Sequence, residues 1–253
     1  MMSNHRTILV TGATSGIGAA AAEAFAGQGA VVLAVGRNAE RGKALLRSLA
    51  GTGHQFIRCD LADRDQISVL LDQVRCRKGP VDGLVNCAGV VHHATVPGTD
   101  DRIWDETMAI NVGAVFSLCR GLIPHMIQQG GGAIVNVAST WGLVGAERTA
   151  AYCASKGALV QLTRCMAMDH ARDHVRINAV CPGAVDTPML ASEAAAFGMT
   201  VEQGRDRWSA DAPNRQLASA RKIAEVITFL VSEEASHIHG VALPVDGGAT
   251  AGY

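Results

Sequence analysis

Tyr152 and Lys156 are the residues of this chain whose types and spacing best suit proton transfer. They lie four positions apart in YCASK, at the start of a small-residue, apolar stretch with helical character. Residues four apart on a helix share a face, so both side chains can point into one site. The phenol has an ordinary pKa of about 10, and a neighbouring ammonium favours its ionised form. The pair predicts a tuned acid–base group, although surface pairs have the same spacing.

Ser139 and Asn111 favour the catalytic interpretation. Ser139 follows an apolar run, VNVAS, that predicts a buried strand, and Asn111 lies in a long helical stretch before it. In open α/β sheets, ligands bind at the carboxyl ends of the strands. We therefore expect Ser139 to lie beside the Tyr152 and Lys156 pair.

The segment TGATSGIG, residues 11–18, combines three glycines with the start of an Ala-rich helix. Glycines permit close approach of the backbone to a ligand, and a helix N-terminus offers free N–H groups and a positive dipole end to a phosphate. The GxxxGxG spacing differs from the GxGxxG dinucleotide fingerprint, so tight-turn chemistry alone is an alternative. Its place between a first strand and a helix favours phosphate binding. The predicted cradle comprises Gly12, Thr14, Ser15, Gly16, Ile17 and Gly18.

The second predicted strand ends in AVGRN, where an NAD-binding chain would place a carboxylate on the ribose hydroxyls. The nearest carboxylate is Glu40, whereas Arg37 and Asn38 stand at that position. The guanidinium of Arg37 can pair with a 2′-phosphate through its planar fork, which favours NADP(H) over NAD(H). Alternatively, Arg37 is a solvated cation or stacks on adenine. Asp60, just past the third strand, is placed to contact the adenine.

Whole-chain properties indicate one globular domain. The chain has 253 residues, is 48% hydrophobic and 18% charged, and carries a formal charge of −1 with no block of like charges. We expect no nucleic-acid or membrane partner, and a small molecule fits better. The N-terminus lacks a leader pattern, and seven scattered cysteines without CxxC pairs predict reduced core thiols, so we expect a cytoplasmic protein. No cluster of metal-ligand residues is visible, and we expect metal-free catalysis.

Short β-branched runs alternate with longer helical stretches, the pattern of repeated βαβ units. The pattern predicts an α/β fold with a Rossmann-like, doubly wound, seven-stranded parallel sheet and helices on both faces. The predicted strands cover residues 7–10, 31–35, 56–59, 83–86, 133–137, 176–180 and 242–245. The predicted helices cover residues 17–27, 39–50, 63–77, 101–128, 151–171 and 219–232. Residues 187–218 have no clean period and predict an irregular substrate-binding loop.

These motifs together resemble the short-chain dehydrogenase/reductase family over nearly the full length. The resemblance rests on eight pieces in the family's order: TGATSGIG at 11–18, CDL at 59–61, NCAG at 86–89, Asn111, Ser139, the Tyr152/Lys156 pair, PGAVDTP at 182–188 and DGG at 246–248. Cys87 stands where a second asparagine is commoner, which affects a supporting position only.

The resemblance implies hydride transfer between a nicotinamide cofactor and a secondary alcohol or ketone. In it, Tyr152 is the general acid/base, Ser139 hydrogen-bonds the substrate oxygen, Lys156 also holds the nicotinamide ribose, and Asn111 anchors a water of a proton relay. Further cofactor contacts are implied for Leu61, Asn86, Ala88, Gly89, Pro182, Gly183, Val185 and Thr187. The pocket is expected to include His92, Trp141 and Met189 with Ser139 and Tyr152, although loop packing explains Trp141 equally well and His92 is also expected in a solvated loop.

The resemblance also implies a homotetramer or homodimer, assembled through helices 101–128 and 151–171. Their outer faces are expected to carry Ala158, Leu159, Leu162 and Met166, which could instead pack on the sheet. A non-catalytic sensor of nicotinamide redox state is the alternative from another class, but a pure binder has no need of a tuned phenol. An enoyl reductase of the family usually separates its tyrosine and lysine further, and an epimerase carries a larger C-terminal domain.

Overall fold

A seven-stranded parallel sheet forms the centre of the protein in a computed structural model, which describes residues 6–77 and 79–252. The strand order is β3-β2-β1-β4-β5-β6-β9. All strands are parallel, and successive strands are added on one side of β1 up to β3 and on its other side from β4 onward. The strands of this sheet are β1 (Thr7–Thr11), β2 (Val31–Gly36), β3 (Gln55–Arg58), β4 (Gly83–Asn86), β5 (Gly132–Val137), β6 (Val175–Pro182) and β9 (Ala242–Val245).

Helices cover both faces of the sheet, which is why its central strands are almost continuously apolar. One face packs on α1 (Gly16–Gly27), α2 (Ala39–Ser48) and α9 (Ala220–Val231), with Phe25, Leu45 and Ile223 in that core. The other packs on α3 (Arg64–Arg75), α5 (Ala114–Gln128) and α6 (Ala150–His170), while α4 (Asp101–Met108) packs against α6. The predicted fold class is confirmed, and the predicted strands and helices agree with these bounds to within two residues.

The predicted helix 101–128 is interrupted between α4 and α5. Residues Ala109–Gly113 form a π-helical turn that carries Asn111, and such turns are frequent at functional sites. The whole stretch Asp101–Gln128 has the length and mean hydropathy of a membrane span, but 56% of its most apolar window is buried inside the protein. This burial is what a core helix of a globular domain requires.

Residues 187–218 are not the irregular loop that the sequence predicts. They contain α7 (Pro188–Ala196) and α8 (Val201–Asp211), and the latter begins with a capping box between Thr200 and Gln203. Two short parallel strands, β7 (Val185–Asp186) and β8 (Ala218–Ser219), pair at the base of the segment and bring its ends together. The pair of helices is thereby held as one unit over the carboxyl end of the sheet.

The two long helices do not present all the residues expected on their outer faces. Leu159 and Met166 are buried in the core, because they point from α6 onto the sheet. The exposed large apolar residues of these helices are Trp104, Phe116, Ile127 and Met168. These helices do have exposed apolar surface, but Leu159 and Met166 are not part of it, and assembly through this surface stays a prediction.

All seven cysteines are unpaired, as predicted. Cys59, Cys119 and Cys181 are buried, but Cys76 and Cys165 are exposed, so the expectation of core thiols is wrong for those two.

Candidate active site

The turn between β1 and α1 has the backbone of a phosphate cradle. Gly12 and Gly16 adopt φ of +63° and +54°, which side chains rarely tolerate. A Cβ on Gly12 would lie 2.9 Å from the Cα of Ala88, and one on Gly18 would overlap the Gly12 carbonyl oxygen. Ser15 caps α1 without a side-chain hydrogen bond, so the first N–H groups of the helix are open to a ligand. These features fit the pyrophosphate of a dinucleotide cofactor.

The expected adenosine contacts follow the carboxyl ends of β2 and β3. Arg37 is exposed directly after β2, and the side chain of Asn38 caps α2 by accepting a hydrogen bond from the Arg41 N–H. Asp60 follows β3 and accepts from the Ala62 N–H at 3.1 Å, which turns the chain there, and Leu61 is buried. Strand order places β2 next to β1 and β3 next to β2, so these residues lie on the same side of the cradle.

The segment after β4 packs directly on the glycine turn. The backbone N–H groups of Cys87 and Ala88 donate to Thr11 Oγ1 at 3.1 and 3.2 Å. Asn86 is buried and donates to Asn136 Oδ1 at 2.8 Å, which ties β4 to β5. Gly89 lies close to the predicted catalytic residues, because a Cβ added to it would be 3.3 Å from Asn111 Oδ1 and 3.4 Å from Lys156 Nζ. Asn86, Ala88 and Gly89 thus border the cradle and the predicted catalytic residues.

Ser139, Tyr152 and Lys156 line one cavity of about 340 Å³ at the carboxyl end of the sheet. Ser139 lies two residues past the end of β5, where its Oγ accepts from the Trp141 N–H at 3.1 Å and begins a short 3₁₀ turn. Tyr152 and Lys156 come from the first turns of α6, as their spacing predicts. Both are buried, although neither residue type is usually fully buried. The site therefore holds its acid–base groups away from bulk water.

The expectation that Lys156 and a bound oxidised nicotinamide together lower the pKa of Tyr152 stays a prediction. Burial raises the pKa of Tyr152, while hydrogen bonding with Ser139 acts in the opposite direction. Burial also lowers the pKa of Lys156 to about 8. The ammonium lies 5.6 Å from the phenol ring centre and donates to the carbonyl oxygen of Val137 at 2.7 Å. For both groups, removal from water is thus the largest influence on the pKa.

Asn111 is held rigidly beside this pair. Its Oδ1 accepts from the Val90 N–H, and its Nδ2 donates to the Val90 carbonyl oxygen and to Ser155 Oγ, at 2.9, 2.9 and 3.0 Å. The π-helical turn provides the bend that brings this amide to α6. Its place agrees with the expected relay position, and the relay itself stays a prediction.

The chain after β6 completes the cofactor side of the cavity. Pro182, Gly183, Val185 and Thr187 all line it. A Cβ on Gly16 would lie 3.4 Å from the Thr187 side chain, so this segment faces the glycine turn. The predicted cofactor residues are thus brought together along the carboxyl edge, with Gly12 and Gly18 shaping the turn and Thr187 opposite it.

The substrate side agrees with the sequence only in part. Trp141 and Met189 line the cavity, and the Trp141 ring meets the Tyr152 ring edge-on with centroids 6.0 Å apart. His92 does not line it, because its Nε2 points to Glu106 Oε2 at 3.3 Å. The next residue, His93, turns toward α7 instead. Three further lining residues lie on α7 and α8, inside the segment that the sequence predicts as the substrate-binding loop: Leu190, Glu193 and Trp208.

Comparisons with known proteins agree with this geometry. A family model described as enoyl-(acyl carrier protein) reductase matches residues 12–250. The 2-(R)-hydroxypropyl-CoM dehydrogenase of Xanthobacter autotrophicus is 36% identical, over 97% of this chain and 99% of the relative. A variant of the actinorhodin polyketide ketoreductase, solved with NADPH, is 33% identical with a TM-score of 0.93 and covers 97% of each chain. A solved short chain dehydrogenase/reductase family protein is 34% identical with a TM-score of 0.88, over 99% of this chain and 100% of that one.

These relatives are named as a dehydrogenase and a ketoreductase, so they give the sensor alternative no support. The identities extend over nearly whole chains, and the glycine turn, Ser139 and the Tyr152/Lys156 pair occupy one site here. The chain belongs to the short-chain dehydrogenase/reductase family of NAD(P)-dependent oxidoreductases.

Proposed function

We propose that this protein interconverts a small-molecule ketone and its secondary alcohol, with a preference for NADP(H). One observation carries the proposal. Ser139, Tyr152 and Lys156 line a single buried cavity that Thr187 and Gly183 close on the side of the glycine turn. A substrate carbonyl next to the phenol would lie at the edge of the cofactor cradle.

The proton chemistry follows from the side chains. A bound nicotinamide supplies or accepts the hydride. Tyr152 gives its proton to the carbonyl oxygen in reduction and removes a proton from the hydroxyl in oxidation. Ser139 donates a hydrogen bond to the same oxygen and stabilises the charge that develops there. Lys156 would hold the nicotinamide ribose, and Asn111 would fix a water between Lys156 and solvent.

Replacement of Tyr152 by Phe tests the proposed mechanism. The variant keeps the buried ring but has no transferable proton, so we expect kcat to fall by a factor of about 10² to 10⁴. NADPH binding, followed by fluorescence titration, should change little. Cys153→Ala is the matched control, because Cys153 is the next residue of the same helix and has no assigned role. Turnover near the wild-type rate in Tyr152→Phe would refute the mechanism.

The preference for NADP(H) rests on the end of β2. Arg37 is exposed there with no salt-bridge partner among the described residues, and the side chain of Asn38 is used in capping α2. A carboxylate at this position would repel a 2′-phosphate, whereas a guanidinium can bind it with two parallel hydrogen bonds. The absence of a carboxylate and the presence of a free cation both point in the same direction.

We also propose that the protein is cytoplasmic and forms a homotetramer or homodimer. Trp104, Phe116 and Met168 leave apolar surface on the two long helices, and Met168 is 84% exposed. Apolar surface of this kind favours association. The exposed thiols of Cys76 and Cys165 suit a reducing compartment. Light scattering at micromolar concentration tests the assembly, and a monomer would contradict it. Cell fractionation tests the location, and recovery outside the cytosolic fraction would contradict it.

A further inference from the structure

Glu193 is a carboxyl in the substrate cavity that the proton chemistry does not use. It lies on α7 and lines the same cavity as Ser139 and Tyr152, with only 16% of its side chain exposed. Among the described residues, the basic group within 4 Å of it is His93, whose Nε2 lies 3.3 Å from Glu193 Oε1. The described hydrogen bonds include none to the Glu193 carboxyl. Burial of a carboxyl whose oxygens accept no hydrogen bond costs free energy, unless a bound ligand supplies the missing hydrogen bonds.

The neighbouring His93 also lacks hydrogen-bond partners in the part of the chain that the structure describes. Its side chain is 7% exposed, and neither ring nitrogen has a well-aligned hydrogen-bond partner among the described residues. The Phe197 ring lies edge-on to it at 4.9 Å, and the Arg148 guanidinium stacks over Phe197 at 5.6 Å. Native proteins leave few buried polar groups unpaired, and the exceptions are enriched where a ligand or water completes the site. Glu193 in the cavity wall and His93 behind it together form a polar site of this kind.

The charges of the pair favour a neutral ligand. Burial raises the pKa of Glu193 to about 7 and lowers the pKa of His93. Both shifts favour uncharged side chains, so the pair neither neutralises an anion nor demands a cation. A carboxyl that exchanges between its protonated and ionised forms can donate and accept, which matches a hydroxyl group. The rest of the cavity carries charges of both signs, with Asp211 and Asp246 opposed by Lys156 and Lys222, so it does not single out an anion or a cation.

The remaining wall on this side is largely apolar. Trp141, Met189, Leu190 and Trp208 line it, and they offer surface to a hydrocarbon body. One polar position among apolar residues distinguishes a substrate with a second polar group from one without. A site built to bind a hydroxyl discriminates strongly against an analogue that lacks it, because its own polar group is then left unpaired.

We propose that Glu193, backed by His93, binds a second hydroxyl of the substrate, so that the enzyme prefers hydroxyketones and the matching diols to simple ketones. The inference rests on the proposed function, since it names the substrate class of that same site. Glu193 is a specificity-determining residue in this arrangement, while Tyr152 and Ser139 act on the reacting oxygen.

The test compares kcat/KM with NADPH for 3-hydroxy-2-butanone, 4-hydroxy-2-butanone and 2-butanone. These ketones differ only in the presence and position of a hydroxyl group. We expect the wild-type enzyme to prefer one of the hydroxyketones by at least tenfold. Glu193→Leu should lower that preference at least tenfold, because kcat/KM falls more for the hydroxyketones than for 2-butanone. Glu193→Gln, which can still donate and accept, should retain part of the preference and guards against misfolding of the leucine variant. Glu202→Gln, an exposed carboxyl on α8, is the matched control and should change nothing.

Three outcomes would overturn the inference. Equal kcat/KM on all three ketones, or an unchanged preference in both Glu193 variants, would refute it while the proposed function stands. Preference for 4-(dimethylamino)-2-butanone over both hydroxyketones would show that the carboxyl binds a cation instead. Lack of turnover on every ketone, and on the alcohols in the reverse direction, would refute the proposed function and this inference with it.

Discussion

Replacement of Lys156 by Met should remove a pH-dependent cost to stability that the active site imposes. Lys156 is 3% exposed, and burial lowers the pKa of its ammonium from the ordinary 10.5 to about 8. Because the folded state holds the proton more weakly than the unfolded chain, the charged lysine destabilises the fold below pH 8. That cost disappears as the pH rises through 8 toward 10.5. Methionine has a similar length and no charge, so the folded Lys156→Met variant has no buried ammonium to destabilise it.

The magnitude follows from the two pKa values. Each tenfold difference in proton affinity is worth about 1.4 kcal/mol, so the cost at pH 7 is about 3 kcal/mol. By pH 9.5 about 2 kcal/mol of it is recovered in the wild-type protein. Lys156→Met also loses the hydrogen bond to the Val137 carbonyl oxygen, which costs about 1 kcal/mol at either pH. The difference between the two pH values isolates the effect of the charge.

Urea unfolding of the cofactor-free protein at pH 7.0 and pH 9.5 provides the assay. Between these values, the free energy of unfolding of the wild-type protein should rise by about 2 kcal/mol relative to that of Lys156→Met. Other groups that titrate in this range contribute similarly to both proteins and cancel in the comparison. Lys43→Met, at an exposed position on α2, is the control and should follow the wild type. Parallel pH profiles for the wild type and Lys156→Met would refute the reasoning.

Two further predictions concern the cofactor cradle. Arg37→Ala should weaken NADPH binding at least tenfold and leave NADH affinity unchanged, since a guanidinium–phosphate pair is among the stronger hydrogen-bonded contacts. Arg47→Ala, at an exposed position near the other end of α2, is the control and should change neither affinity. Tighter binding of NADH than of NADPH by the wild-type protein would contradict the NADP preference. Gly18→Ala should weaken binding of both cofactors at least tenfold, because its Cβ would overlap the Gly12 carbonyl oxygen and displace the turn. The matched Gly27→Ala change, whose Cβ would meet nothing within 4 Å, should preserve affinity and raise stability by about 0.5–1 kcal/mol. Fluorescence titration with each cofactor and thermal unfolding measure these effects, and wild-type affinity in Gly18→Ala would show that the cradle does not contact the phosphates.

The fold could be predicted from the sequence because the two periodicities are strong and alternate. Strands such as Leu84 to Asn86 and Ile134 to Val137 are buried on both faces, so each appears as a short apolar run. The glycine turn and the Tyr152/Lys156 pair are local in sequence, and the parallel sheet brings all carboxyl ends to one edge. Strong local patterns and a simple topology therefore place the catalytic residues together.

The helices α7 and α8 could not be predicted in the same way. Few of their residues are buried: Leu190 and Ala194 on one face of α7, and Gly204 on α8. A helix that covers a cavity has no continuous apolar stripe, so the period of 3.6 is weak. For the same reason the sequence could not distinguish His92 from His93, since the direction of each imidazole depends on where α7 lies.

The ionisation of the central pair shows the physical limit most clearly. The sequence gives the four-residue spacing, from which an attraction between ammonium and phenolate follows, but it does not give the depth at which the pair lies. In the structure both groups are buried, and burial favours the neutral phenol and the neutral amine. A phenol that retains its proton is the form that ketone reduction requires, because it must donate that proton to the carbonyl oxygen. Oxidation needs the phenol ionised, so it depends on additional positive charge near Tyr152.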